Sequence, residues 1–192
     1  DQLEKLRDEE APDEAPLGEP GDCVQIHTVH SAKGLEAPIV WLLDAADEAT
    51  RANLNLAWHH LDAWPDVTPA LARLRSGFLL APCSNGNISL MVDLARRNGW
   101  HWDAILGAEH ARDYKPKLEV YRAAADAFDC APHEVLMVAA HSSDLEAAAR
   151  AGLRTAFIAR PDEHGPGRGE SAPSHAVDQS AADLAALATQ LL

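Results

Sequence analysis

Apolar residues along this chain recur in two rhythms, and the rhythms alternate. Val24-Gln25-Ile26-His27-Thr28-Val29 alternates with the period of a half-buried strand, and Ala37-Pro38-Ile39-Val40-Trp41-Leu42-Leu43 is a continuous apolar run of the kind a fully buried strand requires. His30 to Gly34 between them reads as a turn, and Asp47 to Trp58 as helical. From Trp64 onward the alternation is regular. Helical periods cover Thr68–Arg75, with Pro69 in the permitted first turn, Ile88–Asn98 stopping at Gly99, Leu118–Phe128, and Asp144–Ala151 stopping at Gly152. Short apolar runs that predict strands cover Gly77–Ala81, Ala104–Gly107, Val135–Val138 and Thr155–Ile158. Residues 162–170 read as a loop, Ala176-Val177 as a last edge strand, and Ser180–Leu192 as a closing helix capped by Ser180 or Asp183. Strands alternating with helices of this length predict an α/β fold with a doubly wound parallel sheet.

The first 20 residues break the pattern. They are acidic and proline-bearing, as in Asp8-Glu9-Glu10-Ala11-Pro12-Asp13-Glu14, and offer little to bury, so they read as a linker or disordered tail. The organisation expected is a tail over 1–20, a two-strand segment over 21–50 and a core domain over 51–192. The chain begins at Asp1 rather than Met, which suggests a fragment.

Composition narrows the functions. A net charge of -14 argues against a general nucleic-acid surface, since phosphate binding needs clustered Lys and Arg. The three cysteines, Cys23, Cys83 and Cys130, are scattered and odd in number, which is neither a disulfide framework nor a zinc spacing and fits the reducing cytoplasm. No apolar run approaches a membrane span.

In a doubly wound sheet, ligands gather beyond the carboxyl ends of the strands. Three polar groups fall there. Ser84 and Asn85 close one strand and open a helix, where hydroxyl, amide and backbone N–H groups are placed to hold an anion. Lys115 precedes Pro116 at a helix entry, where an ammonium would pair with a carboxylate or an anionic substrate. Asp144 opens the helix after Val138. Singly, Ser84 and Asp144 are ordinary helix caps and Lys115 an ordinary surface residue.

Taken together, Leu80-Ala81-Pro82-Cys83-Ser84-Asn85-Gly86-Asn87, then Tyr114-Lys115-Pro116 with Tyr121, then Val138-Ala139-Ala140-His141-Ser142-Ser143-Asp144, resemble the haloacid dehalogenase superfamily, and most closely its type II 2-haloacid dehalogenase branch. Trp58 to Val67 resembles the segment that returns from that family's cap to its core, so the likeness runs from about residue 52 to the C-terminus. The resemblance implies a HAD-like Rossmannoid sheet and hydrolysis of short 2-haloacids through an aspartyl ester. It implies that Ser84 positions a carboxylate, Asn85 holds the leaving halide, Lys115 orients the nucleophilic aspartate, and Asp144 supports the lysine and the hydrolytic water. Tyr121, His141 and Ser143 would line the substrate. Ala139 and His141 replace two polar positions of the fourth motif, a change found in a close sub-branch. No cofactor is implied. Magnesium belongs to the phosphatase branches, and the Ser-Asn-Gly form leans away from them.

The family's reaction starts at an aspartate on a first strand, in a DxxGT-like turn. No such turn precedes Ser84, and most of the helical cap is missing as well. An impaired hydrolase is therefore expected, since covalent catalysis has no first step without the nucleophile. The string from Val24 to Val40 instead resembles motif V of UvrD-type DNA helicases, a chimeric reading in which no phosphate-binding GxxxxGK[ST] loop is present. One substitute nucleophile stands out. Asp44 follows the apolar run Ile39–Leu43 as a catalytic aspartate follows its strand, although no Gly-Thr comes after it. The partner expected is a small carboxylate substrate, with a homodimer as one way to cover exposed sheet edges. Two other readings are a non-catalytic α/β module that needs a partner to complete its sheet, and a helicase fragment.

Overall fold

The computed structural model describes residues 56–192. The expectations placed on residues 1–55, including Asp44 and the helicase-like string, lie outside the described residues. Five strands are present among them: β1 (Cys83–Ser84), β2 (Leu106–Gly107), β3 (Leu136–Ala139), β4 (Arg154–Ile158) and β5 (Gln179–Ala181). Six helices accompany them: α1 (Val67–Leu74), α2 (Ile88–Asn98), α3 (Ala108–Ala111), α4 (Leu118–Asp126), α5 (Ser142–Ala151) and α6 (Leu184–Leu191). All strand pairs are parallel, as the strand–helix alternation predicts.

The central layer has helices on both faces because its strands alternate. Leu136 and Val138 of β3 pack with Ala156 and Ile158 of β4 against Ala70 and Leu74 of α1 and Leu184, Leu187 and Ala188 of α6. Val135 and Met137 turn the other way, onto Tyr121 of α4 and Ala147, Ala148 and Ala151 of α5. The small alanines of α5 let that helix approach the sheet closely.

The strands form two sheets, β1–β2 and β3–β4–β5. Leu80, Pro82 and Ser84 point their carbonyls at the β2 side: Leu80 O accepts from Asp103 N (2.8 Å), Pro82 O accepts from Leu106 N (3.0 Å), and Ser84 pairs with Gly107. The peptides of Ala81 and Cys83 therefore face the opposite edge. On β3, Val135 O accepts from Arg154 N at 2.9 Å, so Leu136 and Val138 turn their peptides away from β4. Between these two strand edges lies an apolar slot of about 580 Å³, lined by Leu80, Ala81 and Cys83 on one side and Leu136, Met137 and Val138 on the other. Leu74, Leu191, Ala124 and Phe128 also line it.

Three of the boundaries that differ from the sequence reading have a visible cause. The strand expected at Gly77–Ala81 has its ladder only at Cys83–Ser84, because residues 79–82 bond through single contacts to the 101–106 loop, Leu80 N to Asp103 Oδ2 at 2.8 Å among them. Helix α5 starts two residues before Asp144, because the Glu170 carboxylate accepts the Ser142 amide at 3.0 Å and satisfies the helix start from outside. The last strand falls at Gln179–Ala181 rather than Ala176-Val177, since Asp178 Oδ2 takes the Thr155 amide at 2.8 Å and sets the register. Ser180 is thus a strand residue. Asp183 is the cap of α6, accepting Ala186 N at 2.7 Å.

Asp66 joins the Trp58–Val67 segment to this core. Its Oδ2 accepts from Arg160 Nη2 and from Leu184 N, each at 2.8 Å, and the Arg160 guanidinium lies 5.1 Å over the Trp64 ring. Burial pushes the Asp66 carboxyl up. The Arg160 hydrogen bond, the Leu184 amide and the Arg160 charge outweigh burial and hold it below the ordinary 3.8. A folded-state value below the unfolded one stabilises the fold above about pH 4, and that contribution is lost as pH falls through the depressed value. We expect Asp66→Asn to lower the thermal midpoint at pH 7, with the gap to the parent chain closing below about pH 4. A gap that stays constant from pH 7 to pH 3 would show that the ion pair is not the source.

Candidate active site

Two turns and two helices converge at the carboxyl ends of β1 and β3. Ser84 ends β1, and its Oγ accepts the Gly86 amide at 3.0 Å, which folds the chain into a tight turn. The next side chain clasps a distant peptide. Asn85 Oδ1 accepts Lys115 N at 2.7 Å while Asn85 Nδ2 donates to Lys115 O at 3.1 Å. The amide thereby fixes both the register and the direction of the lysine loop.

From that backbone the Lys115 side chain reaches Asp144, with Nζ 2.5 Å from Oδ2. The two side chains are only 18% and 16% exposed, so the pair is held out of bulk water. Tyr121, six residues on from Lys115 in α4, is fully buried and donates its hydroxyl to the other carboxylate oxygen, Oδ1, at 2.5 Å. Burial, then the bond to Asp144 and the charge on it, push the Tyr121 phenol far above its ordinary range. Tyr121 is therefore a fixed donor. Asp144 itself lies in the first turn of α5, where the helix dipole favours a carboxylate.

Four expected site residues, Asn85, Lys115, Tyr121 and Asp144, thus form one bonded chain, and Ser84 adjoins it. Two others stand apart from that chain. Ser143 is exposed in the first turn of α5. His141 pairs its Nε2 with Glu163 Oε2 at 2.9 Å. The structure also changes the expectation of an anion seat built from backbone N–H groups ahead of α2. Gly86 N is taken by Ser84, Ile88 N by Glu109 Oε2 at 2.6 Å, and Leu90 N by the Asn87 cap at 3.1 Å. Anion binding there falls to the Asn85 amide and the Ser84 hydroxyl, which still has its proton to donate.

Sequence reasoning missed Cys83 and Ser142. Burial raises the Cys83 thiol; the Lys115 charge opposes this and the Asp144 charge adds to it, so Cys83 lies within reach of both. Cys83 also lines the apolar slot, which places one end of the slot beside the lysine–aspartate pair. Ser142 is buried, bonded through Oγ to Glu170 Oε2, and accepts from Ser174 N at 3.0 Å. No spacing in the sequence links residues 142 and 170.

The family model of the haloacid dehalogenase-like hydrolases matches residues 15–152, and the chain belongs to that family. Its similar proteins include (S)-2-haloacid dehalogenases. (S)-2-haloacid dehalogenase 1 of Pseudomonas sp. (strain CBS-3) is 33% identical over 122 residues, 62% of this chain and 53% of that protein. (S)-2-haloacid dehalogenase H-109 of Pseudomonas putida is 31% identical over 119 residues, 60% of this chain and 53% of the relative. Among solved structures, that of a defluorinating L-2-haloacid dehalogenase superposes with a TM-score of 0.73 at 44% identity, covering 76% of this chain and 60% of the other. The chain spans about half the length of the curated relatives it matches. The family match starts at residue 15, well before the expected boundary near 52, and these matches lend no support to the helicase likeness of residues 24–43. No helix among the described residues is long and apolar enough to cross a membrane.

Proposed function

We propose that this site hydrolyses short 2-haloacids, with turnover limited by its nucleophile. The observation that carries the reading is the Lys115–Asp144–Tyr121 group. It holds an ammonium of fixed orientation, little exposed, beside a second polar pair, Ser84 and Asn85. A 2-halocarboxylate needs two things from such a site: cationic and hydrogen-bonding groups for its carboxylate, and a donor for the departing halide. Lys115 and Ser84 are suited to the first, and Asn85 Nδ2 to the second.

The reaction proposed forms a C–O bond at C2 as the carbon–halogen bond breaks. A carboxylate oxygen attacks, and halide leaves with the bonding pair. Water then adds to the ester carbonyl, the 2-hydroxyacid departs, and one proton is released to solvent. Asp144 is not the attacking group, because Lys115 and Tyr121 occupy its two oxygens. For the same reason it is ill-suited to hold magnesium, and no step is assigned to a metal. Asp44, which follows an apolar run as a catalytic aspartate follows its strand but has no Gly-Thr after it, is the sequence candidate for the attacking group.

Halide release from (S)-2-chloropropionate is the test. Slow release by the parent chain is expected, with release abolished in Asp44→Asn. Undiminished release in that variant sinks the assignment of Asp44. No release from folded parent protein sinks the dehalogenase reading and leaves a non-catalytic α/β module.

A further inference from the structure

Glu163 and His164 belong to the 162–170 loop, which the reaction proposed above does not use. The loop is tightly held. Glu163 N donates to Arg160 O (3.2 Å), Gly165 N to Asp162 O (3.1 Å), Gly167 N to Asp162 Oδ1 (2.8 Å), Gly169 N to Pro161 O (2.7 Å) and Arg160 N to Glu170 O (2.9 Å). An ideal Cβ at Gly169 would come within 1.8 Å of Arg160 O, so the closure tolerates only glycine there. This places the consecutive pair Glu163-His164 against His141, where β3 gives way to α5.

Three donor atoms meet at that point. His141 Nε2 is 2.9 Å from Glu163 Oε2. The His141 and His164 rings are parallel within 2°, with centroids 6.3 Å apart. One nitrogen of each histidine and one oxygen of Glu163 all lie within 4.8 Å of one another. A tetrahedral zinc ion with ligands at about 2.1 Å needs donors about 3.4 Å apart. The wider separations must shrink by about 1.4 Å, which rotation of exposed side chains supplies. A hydrogen-bonded His–Glu pair accounts for two of the three groups. It does not account for a second imidazole, stacked and carrying a nitrogen into the same space.

We propose that His141, Glu163 and His164 form a three-ligand site for a first-row transition ion, with zinc as the type case. Two imidazoles and one carboxylate suit zinc, nickel or copper and not magnesium or calcium, which prefer all-oxygen shells. Electrostatics favour the cation despite the positive end of α5, because the Glu170 carboxylate accepts from Ser142 N and lies at that helix start. The ion would pin the 162–170 loop to the start of the helix that carries Asp144, and would leave a coordination position open to water or an anion. The site is separate from the Lys115–Asp144 pair, and the proposal does not depend on dehalogenation.

The test is zinc titration of the full chain by calorimetry, with cobalt(II) absorption as a second readout. The chain has 10 histidines, so the comparison among variants decides. His164→Ala and Glu163→Gln are expected to weaken zinc binding by about tenfold or more and to remove the visible band of a tetrahedral cobalt ion. His101→Ala, an exposed histidine elsewhere, should change neither. A zinc-dependent rise in thermal midpoint, present in the parent and lost in His164→Ala, would agree. Equal affinity in the parent and His164→Ala overturns the proposal, as does a parent chain that binds no zinc.

Discussion

Replacing Lys115 by Ala is expected to cut halide release by about 10²–10³-fold, the range for removing a preorganised charged donor from an active site. The expectation follows from the way the lysine is held. Its peptide is clasped on both sides by Asn85, and its Nζ is 2.5 Å from Asp144 in surroundings that leave it 18% exposed. The charge is therefore fixed before substrate arrives. Removing it also strands Asp144, which among the described residues keeps only the Tyr121 bond to its carboxylate. A stability loss of about 1–3 kcal/mol should accompany the loss of activity, as for other little-exposed charges deprived of a partner. Arginine should not restore the rate, since its planar fork cannot take the place of a compact ammonium at a 2.5 Å contact. Tyr121→Phe separates the two effects. It removes one bond to Asp144 but leaves the ammonium, so stability should fall with a smaller loss of rate. A Lys115→Ala protein that releases halide at the parent rate would remove the residue from the mechanism.

Gly107→Ala is expected to cost about 3 kcal/mol or more, or a fall of roughly 10 °C in thermal midpoint for a domain of this size. Gly107 has a φ of 126°, which side-chain-bearing residues rarely adopt. A Cβ there would stand 2.0 Å from Ser84 O and 2.5 Å from Ser84 N. Neither backbone atom can yield without breaking the β1–β2 pairing of Ser84 with Gly107. The damage should extend to the site. Ser84 precedes Asn85, and Asn85 holds the Lys115 loop, so activity should fall even in the fraction that folds. Gly99→Ala is the control. Gly99 also has a positive φ, 69°, but ends α2 with nothing within 4 Å of a built Cβ, so its cost should stay near 1 kcal/mol. Thermal melts followed by circular dichroism would compare the two; equal losses would show that the contact with Ser84 is unimportant.

The parts of this protein that were legible in the sequence are those encoded locally. The periodicity of Ile88–Asn98 and the Gly99 after it define α2 almost to the residue. Ser84, Lys115 and Asp144 each stand next to a predicted strand or helix start, and that placement together with the family resemblance of their motifs points to one site. What escaped depends on contacts across long separations. The register of β5 rests on Asp178 meeting Thr155, and the start of α5 on Glu170 meeting Ser142. The approach of His164 to His141 depends on a loop whose closure no short-range pattern announces. Residues 79–82 read as a strand because they are apolar, but they lack a second ladder partner among the described residues. Their apolarity belongs to the slot they line, and Leu80 also packs against the α1–α6 core.

In the reaction proposed, a carboxylate of this chain attacks C2 and water attacks the resulting ester. A single turnover in H₂¹⁸O with excess protein over (S)-2-chloropropionate tests it most directly, read by mass spectrometry of the 2-hydroxyacid and of the digested protein. An unlabelled hydroxyl in the product and one ¹⁸O in a carboxylate of the protein are expected. Label in the product hydroxyl after the first turnover, with none in the protein, would contradict it and assign the attack on C2 to water.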